Sequence, residues 1–513
     1  MARAGAGIAA LVAAQILVPL GAVLVRAGGG SGLGPADWAA IRFTVLQAGL
    51  SAALSVALAV PVARALARRR FFGRGLLITL LGAPFILPSI VAIIGLLAVF
   101  GRSGLLNRGL EALGLPGLTI YGLHGVVLAH VFFNMPLAIR LILQGWLAIP
   151  AERFRLAAAL GMGPREIGRW LERPMLREVL PGAAMVIFLI CLTSFAVALT
   201  LGGGPRATTV ELAIYQAFRF DFDLGRAAVL AIVQLALTGL AAAAALGVAR
   251  MPGFGGGLDR VVERWDVGGR AARVADALSI GAAALFLLLP LALVAGGGLA
   301  GMTALGASVA RAAAVSLSLA LASVALVVAL ALPLALAVQT WPGKAGRAME
   351  AIGHAGIAAS PLVIGTGLFL LVFPVADPQR LAMPVTALVN ALMGLPFALR
   401  VLVPAVAGVE SAHGRLATAL GMTGWARLRW LLLPRLRRPL GFAAGLTAAL
   451  SMGDLGVIAL FADGDTATLP LQVYRLMAGY RMAEAASAAL LLLLLSLALF
   501  WAFDRGGRTD AAT

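Results

Sequence analysis

The sequence predicts an all-α polytopic membrane protein of about twelve transmembrane helices in two homologous, parallel halves. Three observations predict it. The 513 residues are 61% hydrophobic and only 12% charged, with a mean hydropathy of +0.99, far from the balance of a soluble domain. The formal charge of +18 is gathered in arginine clusters between long apolar runs, where it reports membrane topology rather than affinity for nucleic acid. Finally, "RLAAALGMGPREIGRWLERP" (155–174) returns as "RLATALGMTGWARLRWLLLP" (415–434), 260 positions later.

A span needs about 20 mostly apolar residues. The chain supplies such runs near 8–26, 40–63, 76–100, 122–145, 182–201, 226–248, 275–298, 310–338, 352–374, 384–405, 440–461 and 484–503. The first is read as a retained span, because neither a cleavage site nor a soluble domain follows it. Runs with Gly and Pro, such as "GAPFILPSIVAIIGLLAVF", kink without ceasing to span. The single cysteine, Cys191, lies in an apolar run, which excludes an intrachain disulfide and a thiol metal cluster.

Arginine sets the orientation. The dense stretches 64–74, 153–177, 250–273, 343–347, 415–438 and 505–508 all fall on one side of a twelve-span arrangement. The positive-inside rule makes that side the cytoplasm, with both termini there. Arg102, Arg108, Arg206, Arg219, Arg475 and Arg481 are exceptions on the other side.

Aligned at the 260-residue offset, Pro136, Arg140, Arg155, Leu156, Ala157, Gly161, Met162, Trp170 and Pro174 meet identical residues at Pro396, Arg400, Arg415, Leu416, Ala417, Gly421, Met422, Trp430 and Pro434 without a gap. Upstream, "SVALAVPVARALA" (55–67) resembles "VVALALPLALAVQ" (327–339) at an offset of 272, as a change in loop length would produce. The expected division is a first half over 1–250, a basic cytoplasmic linker over 251–274 and a second half over 275–513. An even number of spans in each half implies a parallel repeat about an axis along the membrane normal.

Each copy of the doubled segment falls between the fourth and fifth spans of its half. Its Ala-Leu stretch favours helix, Gly161 and Gly421 suit a helix end, and Pro174 and Pro434 punctuate the return to the membrane. A single copy would read as an amphipathic loop on lipid headgroups; two copies at matching positions argue for a shared task. The pattern Ala-x-x-x-Gly, nine residues, then hydrophobic-x-x-Pro resembles the EAA loop of permease subunits in ABC importers. The resemblance implies a type I importer fold in which the loop is a coupling helix docking on an ATPase, with Arg155, Ala157, Ala158, Gly161, Met162 and Pro174 in the first copy and Arg415, Ala417, Gly421, Met422 and Pro434 in the second. The name-giving Glu is Arg155 and Arg415 here, and the usual Leu-Pro is kept as Leu433-Pro434 but becomes Arg173-Pro174 in the first copy.

Read whole, "YGLHGVVLAHVFFNMPLAIRLILQ" (121–144), "SFAVALTLGGGPRATTVELAIYQAFRFDFD" (194–223) and "LSMGDLGVIALFADGDTATLPLQVYRLMAGYR" (450–481) are similar to the bacterial thiamine transport permeases, over nearly the whole chain. That resemblance implies a subunit of the bacterial inner membrane that works with two copies of a cytoplasmic ATPase and a periplasmic thiamine-binding protein. Fused ferric-iron permeases share "LGGGP…TT" and the doubled loop, and they stand as the alternative cargo class. No G-x-x-x-x-G-K-[ST] phosphate loop occurs, so ATP belongs to the partner and no cofactor is expected in this chain. An ion-coupled secondary transporter would call for paired intramembrane acids, which are scarce. No catalytic cluster suggests an enzyme.

Thiamine carries a thiazolium cation, which favours carboxylates and aromatic faces along the path. Asp454, an acid inside an apolar run, is the leading candidate; a hydrogen bond to a neighbouring span is its structural alternative. Glu211, Tyr215, Asp221 and Asp223 follow the glycine turn on the outer side, where they either gate the path, meet the binding protein, or belong to a solvated loop. His130 faces Asn390 in the repeat, which favours an interhelical hydrogen bond over a proton relay.

Overall fold

The computed structural model describes residues 2–29, 32–82, 87–248, 269–341, 343–462 and 467–507, and every regular element among them is helical. Most of the expected 251–274 linker lies outside the described residues; its last residues already belong to a long helix. In chain order the α-helices are α1 (Ala2–Ala27), α2 (Pro35–Arg68), α3 (Arg74–Leu80), α4 (Ser89–Phe100), α5 (Leu105–Ala112), α6 (Leu123–Ala148), α7 (Ala151–Ala159), α8 (Pro164–Ile167), α9 (Arg173–Leu192), α10 (Phe195–Leu201), α11 (Val210–Arg219) and α12 (Leu224–Val248). They continue as α13 (Arg270–Ala300), α14 (Ala307–Thr340), α15 (Lys344–His354), α16 (Pro361–Val372), α17 (Ala382–Ala419), α18 (Gly424–Ala426), α19 (Leu433–Met452), α20 (Gly456–Phe461), α21 (Leu469–Ala478) and α22 (Met482–Gly507). Among the described residues, eleven helical stretches are long and apolar enough to cross a membrane, and Pro361–Val372 is a shorter apolar helix in the place of the ninth expected span.

Two pairs of expected spans differ from continuous helices. The runs 76–100 and 352–374 each end in a helix of only 12 residues, α4 and α16, about 18 Å long. Proline is the cause: Pro88 precedes α4, and Pro361 opens α16 behind Ser360, whose extended backbone a following proline favours and whose Oγ accepts from Leu362 N at 3.1 Å. The runs 182–201 and 440–461 are broken instead at their far ends. Helix α9 stops before Thr193–Ser194 and resumes as α10, while α19 stops before Gly453 and resumes as α20 beyond Asp454–Leu455.

The first span of each part of the chain packs on the other part. Helix α1 lies against α14 and α16, and α13 lies against α2 and α4. At both crossings a glycine meets a proline-kinked partner: a Cβ on Gly95 would sit 2.7 Å from the Pro290 carbonyl oxygen, and one on Gly367 would sit 2.3 Å from that of Pro19. The backbones approach so closely at these crossings that only a residue without a side chain fits.

A second exchange repeats at the buried starts of α11 and α21. Helix N-termini carry unsatisfied N–H groups, which are costly away from water. Thr44 Oγ1 on α2 accepts from Val210 N at 2.9 Å, and Ser316 Oγ on α14 accepts from Leu469 N at 2.7 Å. Thr44 and Ser316 stand 272 positions apart, the offset read from the sequence. Ion pairs fasten the arginine-rich side: Arg68 and Arg69 both reach Asp276 on α13, at 2.5 and 2.7 Å, and Arg64 reaches Glu172 at 2.9 Å.

Candidate functional site

The doubled segment folds twice in the same way. Helix α7 ends in a Schellman motif, with Met162 N donating to Ala157 O and Gly161 N donating to Ala158 O, each at 3.0 Å. The second copy ends α17 with Met422 N on Ala417 O at 2.9 Å and Gly421 N on Thr418 O at 3.0 Å. Gly161 and Gly421 have φ of +65° and +67°, the left-handed conformation this cap needs. The copies differ only in how they join the preceding span. Pro150 and the extended Ile149 before it separate α6 from α7, whereas Glu410 stands at the equivalent position and lets α17 run on without a break.

The prolines act differently from the expected punctuation. Pro174 and Pro434 lie in the first turn of α9 and α19, inside helical runs that continue from α8 and α18 through one π-helical turn, at Gly168–Glu172 and Arg427–Leu432. Proline cannot donate, and its ring crowds the carbonyl four residues back. The ladder therefore widens: Arg173 N bonds Gly168 O, and Leu433 N bonds Leu428 O, both five residues back.

Of the residues singled out in these loops, Ala157 and Ala417 are buried and Met162 and Met422 half-buried, holding the helix to the body. Arg155, Ala158, Gly161, Pro174, Arg415, Gly421 and Pro434 face outward. The sequence reading missed the apolar side chains beside them. Leu156, Leu160 and Trp170 are 61%, 68% and 62% exposed, and Leu416, Leu420 and Trp430 are 60%, 67% and 66% exposed. Arg169 and Arg429 each lie over the neighbouring Trp ring, 5.4 Å from its centroid. The signal was present, since these leucines and tryptophans are identical across the 260-residue offset.

The second feature is a cavity of about 380 Å³, near the lower end for small-molecule sites. Its walls come from both parts of the chain: the breaks Thr193–Ser194 and Gly453–Asp454, the starts of α4 and α16, and one face of α6 with His130, Phe133 and Asn134. Asp454 and Glu211 both line it; Tyr215, Asp221 and Asp223 do not. Asp221 pairs with Arg226 at 3.0 Å, and Asp223 Oδ1 accepts from Arg226 N at 2.9 Å to start α12, so these two acids fasten a loop. Tyr215 rests edge-on against Phe195, with ring centroids 5.2 Å apart, and Phe195 is itself part of the cavity wall. Tyr215 on α11 and Tyr474 on α21 lie outside the spans; burial raises both phenols above their usual range, so both stay neutral.

Around the cavity the side-chain bonding is paired as well. His130 Nδ1 lies 3.3 Å from Ser51 Oγ, the expected bond between spans, and Asn390 Nδ2 donates to Ser451 Oγ at 3.0 Å, which lies 3.1 Å from Ser323 Oγ. Ser51 and Ser323 are again 272 positions apart.

Short and broken spans meeting at a small cavity in a helical bundle, with the same exposed helix end built twice, define a polytopic membrane permease. The chain belongs to the thiamine transport system permease family. It is 40% identical over 498 residues to the thiamine transport system permease protein ThiP of Brucella abortus (strain 2308), covering 94% of this chain and 91% of that protein. It is also 40% identical over 486 residues to that of Escherichia coli (strain K12), covering 91% and 89%, and 34% identical over 477 residues to that of Haemophilus influenzae, covering 90% and 87%. No family model matches the sequence.

Proposed function

We propose that this chain is the membrane permease of a bacterial ABC importer for thiamine, built as two homologous halves, 1–250 and 275–513, joined by the basic segment 251–274. The loops around α7 and the end of α17 are its two docking helices, one for each copy of a cytoplasmic ATPase, and a periplasmic thiamine-binding protein delivers the substrate to the opposite face. The arginine-rich side, which carries both loops, is then cytoplasmic, the protein lies in the inner membrane, and both termini are inside.

One observation carries this reading. The same exposed leucine pair stands twice on identically capped helices of one face. Exposed apolar groups repeated with their backbone geometry mark a surface that another protein covers. The relatives' names supply the cargo. ATP-driven closure of the partner would draw the two helices together and rock one half against the other. A full swing of the access equilibrium requires about 5.5 kcal/mol of differential binding, which a nucleotide-linked docking event can supply.

The test is uptake of labelled thiamine, beside labelled ferric iron, in cells with and without this chain, together with co-purification of the ATPase. Loss of thiamine uptake alone, with the ATPase bound, is the expected result. Loss of iron uptake alone would overturn the cargo, and a chain that transports with no ATPase attached would overturn the machine.

A further inference from the structure

Asp454 and Ser194 stand 260 positions apart, at equivalent places in the two broken fifth spans, and both line the central cavity. One is an acid and the other is neutral. Among the described lining residues there are two carboxylates, Asp454 and Glu211, and neither arginine nor lysine. Glu211 Oε1 accepts from Gln234 Nε2 at 3.2 Å. Asp454 Oδ1 accepts from Gly456 N at 3.2 Å, while its Oδ2 is shielded from solvent and has no hydrogen-bond partner. A shielded carboxylate oxygen without a donor is costly, and no cationic side chain among the described lining residues answers it.

The remaining wall suits an aromatic cation. Phe133, Phe195 and Phe397 line the cavity, and aromatic rings attract cations through their faces. The His130 Nε2 atom, on the same wall system, is likewise shielded and without a partner. It offers a hydrogen bond to an uncharged heterocycle.

We propose that the central cavity is the substrate site of the permease, with Asp454 as the counter-charge to a cationic heteroaromatic ring and Ser194 as its deliberately neutral counterpart. This rests on the reading of the chain as a thiamine permease, whose substrate joins one cationic ring to one neutral ring. An acid on one fifth span facing serine on the other fixes which way such a molecule lies across a pseudo-symmetric cavity.

Serine keeps an acceptor for the backbone N–H, as aspartate does, and asparagine keeps the size of the side chain; both remove the charge. Asp454→Ser, Asp454→Asn and the exchange Asp454→Ser/Ser194→Asp are reconstituted with the ATPase and the binding protein, and thiamine uptake is measured over a concentration series. Retained co-purification with the ATPase reports that each variant is folded. Both single variants should lose uptake at least tenfold at low thiamine, chiefly through a raised KM, and the exchange should return it to within a few-fold of the parent. Single variants that take up thiamine like the parent would overturn the counter-charge. An exchange as poor as the single variants would overturn the equivalence of the two walls. A parent complex that carries no thiamine would instead overturn the substrate reading.

Discussion

Replacing Leu156 and Leu160 by serine tests the docking surface without disturbing the fold. These side chains are 61% and 68% exposed, so little packing is lost, and surface changes of this kind stay within about 0.5 kcal/mol. Full burial of a leucine contributes about 1.5–3 kcal/mol. Covering the exposed fraction of each then contributes roughly 1–2 kcal/mol, or roughly 2–4 kcal/mol for the pair. At a factor of ten for each 1.4 kcal/mol, Leu156→Ser/Leu160→Ser should weaken ATPase binding about 30- to 700-fold at that loop. Leu416→Ser/Leu420→Ser should do the same at the other, from exposures of 60% and 67%. The assay is titration of the purified permease in nanodiscs with the ATPase, followed by substrate-stimulated ATP hydrolysis. Unchanged affinity in both double variants would refute the reasoning and leave the leucines as contacts with lipid headgroups.

Three further outcomes follow from the geometry. Gly161→Ala adds a Cβ that meets no neighbouring atom, so its cost is the left-handed backbone alone, about 1–2 kcal/mol; amide exchange at Met162 should quicken about 5- to 30-fold, and no change would sink the cap argument. Gly367→Val drives a side chain into the Pro19 carbonyl and should cost at least about 1–3 kcal/mol, seen as a lowered Tm, while Gly7→Ala, inside α1 with nothing within 4 Å, should match the parent or exceed it by up to about 1 kcal/mol. Asp276→Ala removes the carboxylate that Arg68 holds through both Nε and Nη2 where α2 meets α13. Losing one partner of so buried a pair costs about 3–5 kcal/mol, and a Tm equal to the parent's would show that Arg68 finds water instead.

The span order and the doubled loop were legible because both rest on local signals: apolar runs, arginine clusters and identities at a fixed offset. The short third and ninth spans were not, although Pro88 and Pro361 were in view. Hydropathy counts apolar residues on either side of a proline alike, and the turn is visible only in the backbone. Gly95 and Gly367 could have been found, since they stand 272 positions apart, but their task depends on Pro290 and Pro19 in the other part of the chain. The π turns were beyond reach for a different reason. Proline in a helical pattern reads as a stop, and whether the ladder stops or widens is decided by the packing of the helix that follows. At the cavity, Asp454 was legible as an acid in an apolar run. Its neighbourhood with Glu211 and His130 was not, because three distant segments build it.

The paired and unpaired features divide by task. What bears load occurs twice: the glycine–proline crossings, the hydroxyl caps on α11 and α21, the Schellman ends at Gly161 and Gly421, and the widened turns before Pro174 and Pro434. What we propose to bear chemistry occurs once. Asp454 answers to Ser194 and His130 to Asn390, in a cavity of about 380 Å³. A homodimer has no such freedom, for a carboxylate placed beside its axis is placed there twice. Two like charges in so small a space repel, and any substrate with one cationic end would face two equal walls. Joining the proposed halves in one chain would keep a symmetric motion of paired docking helices, and it lets one fifth span carry an acid where the other carries serine. On this reading the fused architecture is tied to an asymmetric cargo. A variant with acids at both positions, Ser194→Asp with Asp454 retained, should therefore transport worse than the parent despite having more attraction for a cation; transport equal to or better than the parent would show that charge alone, without its placement, is what the cavity supplies.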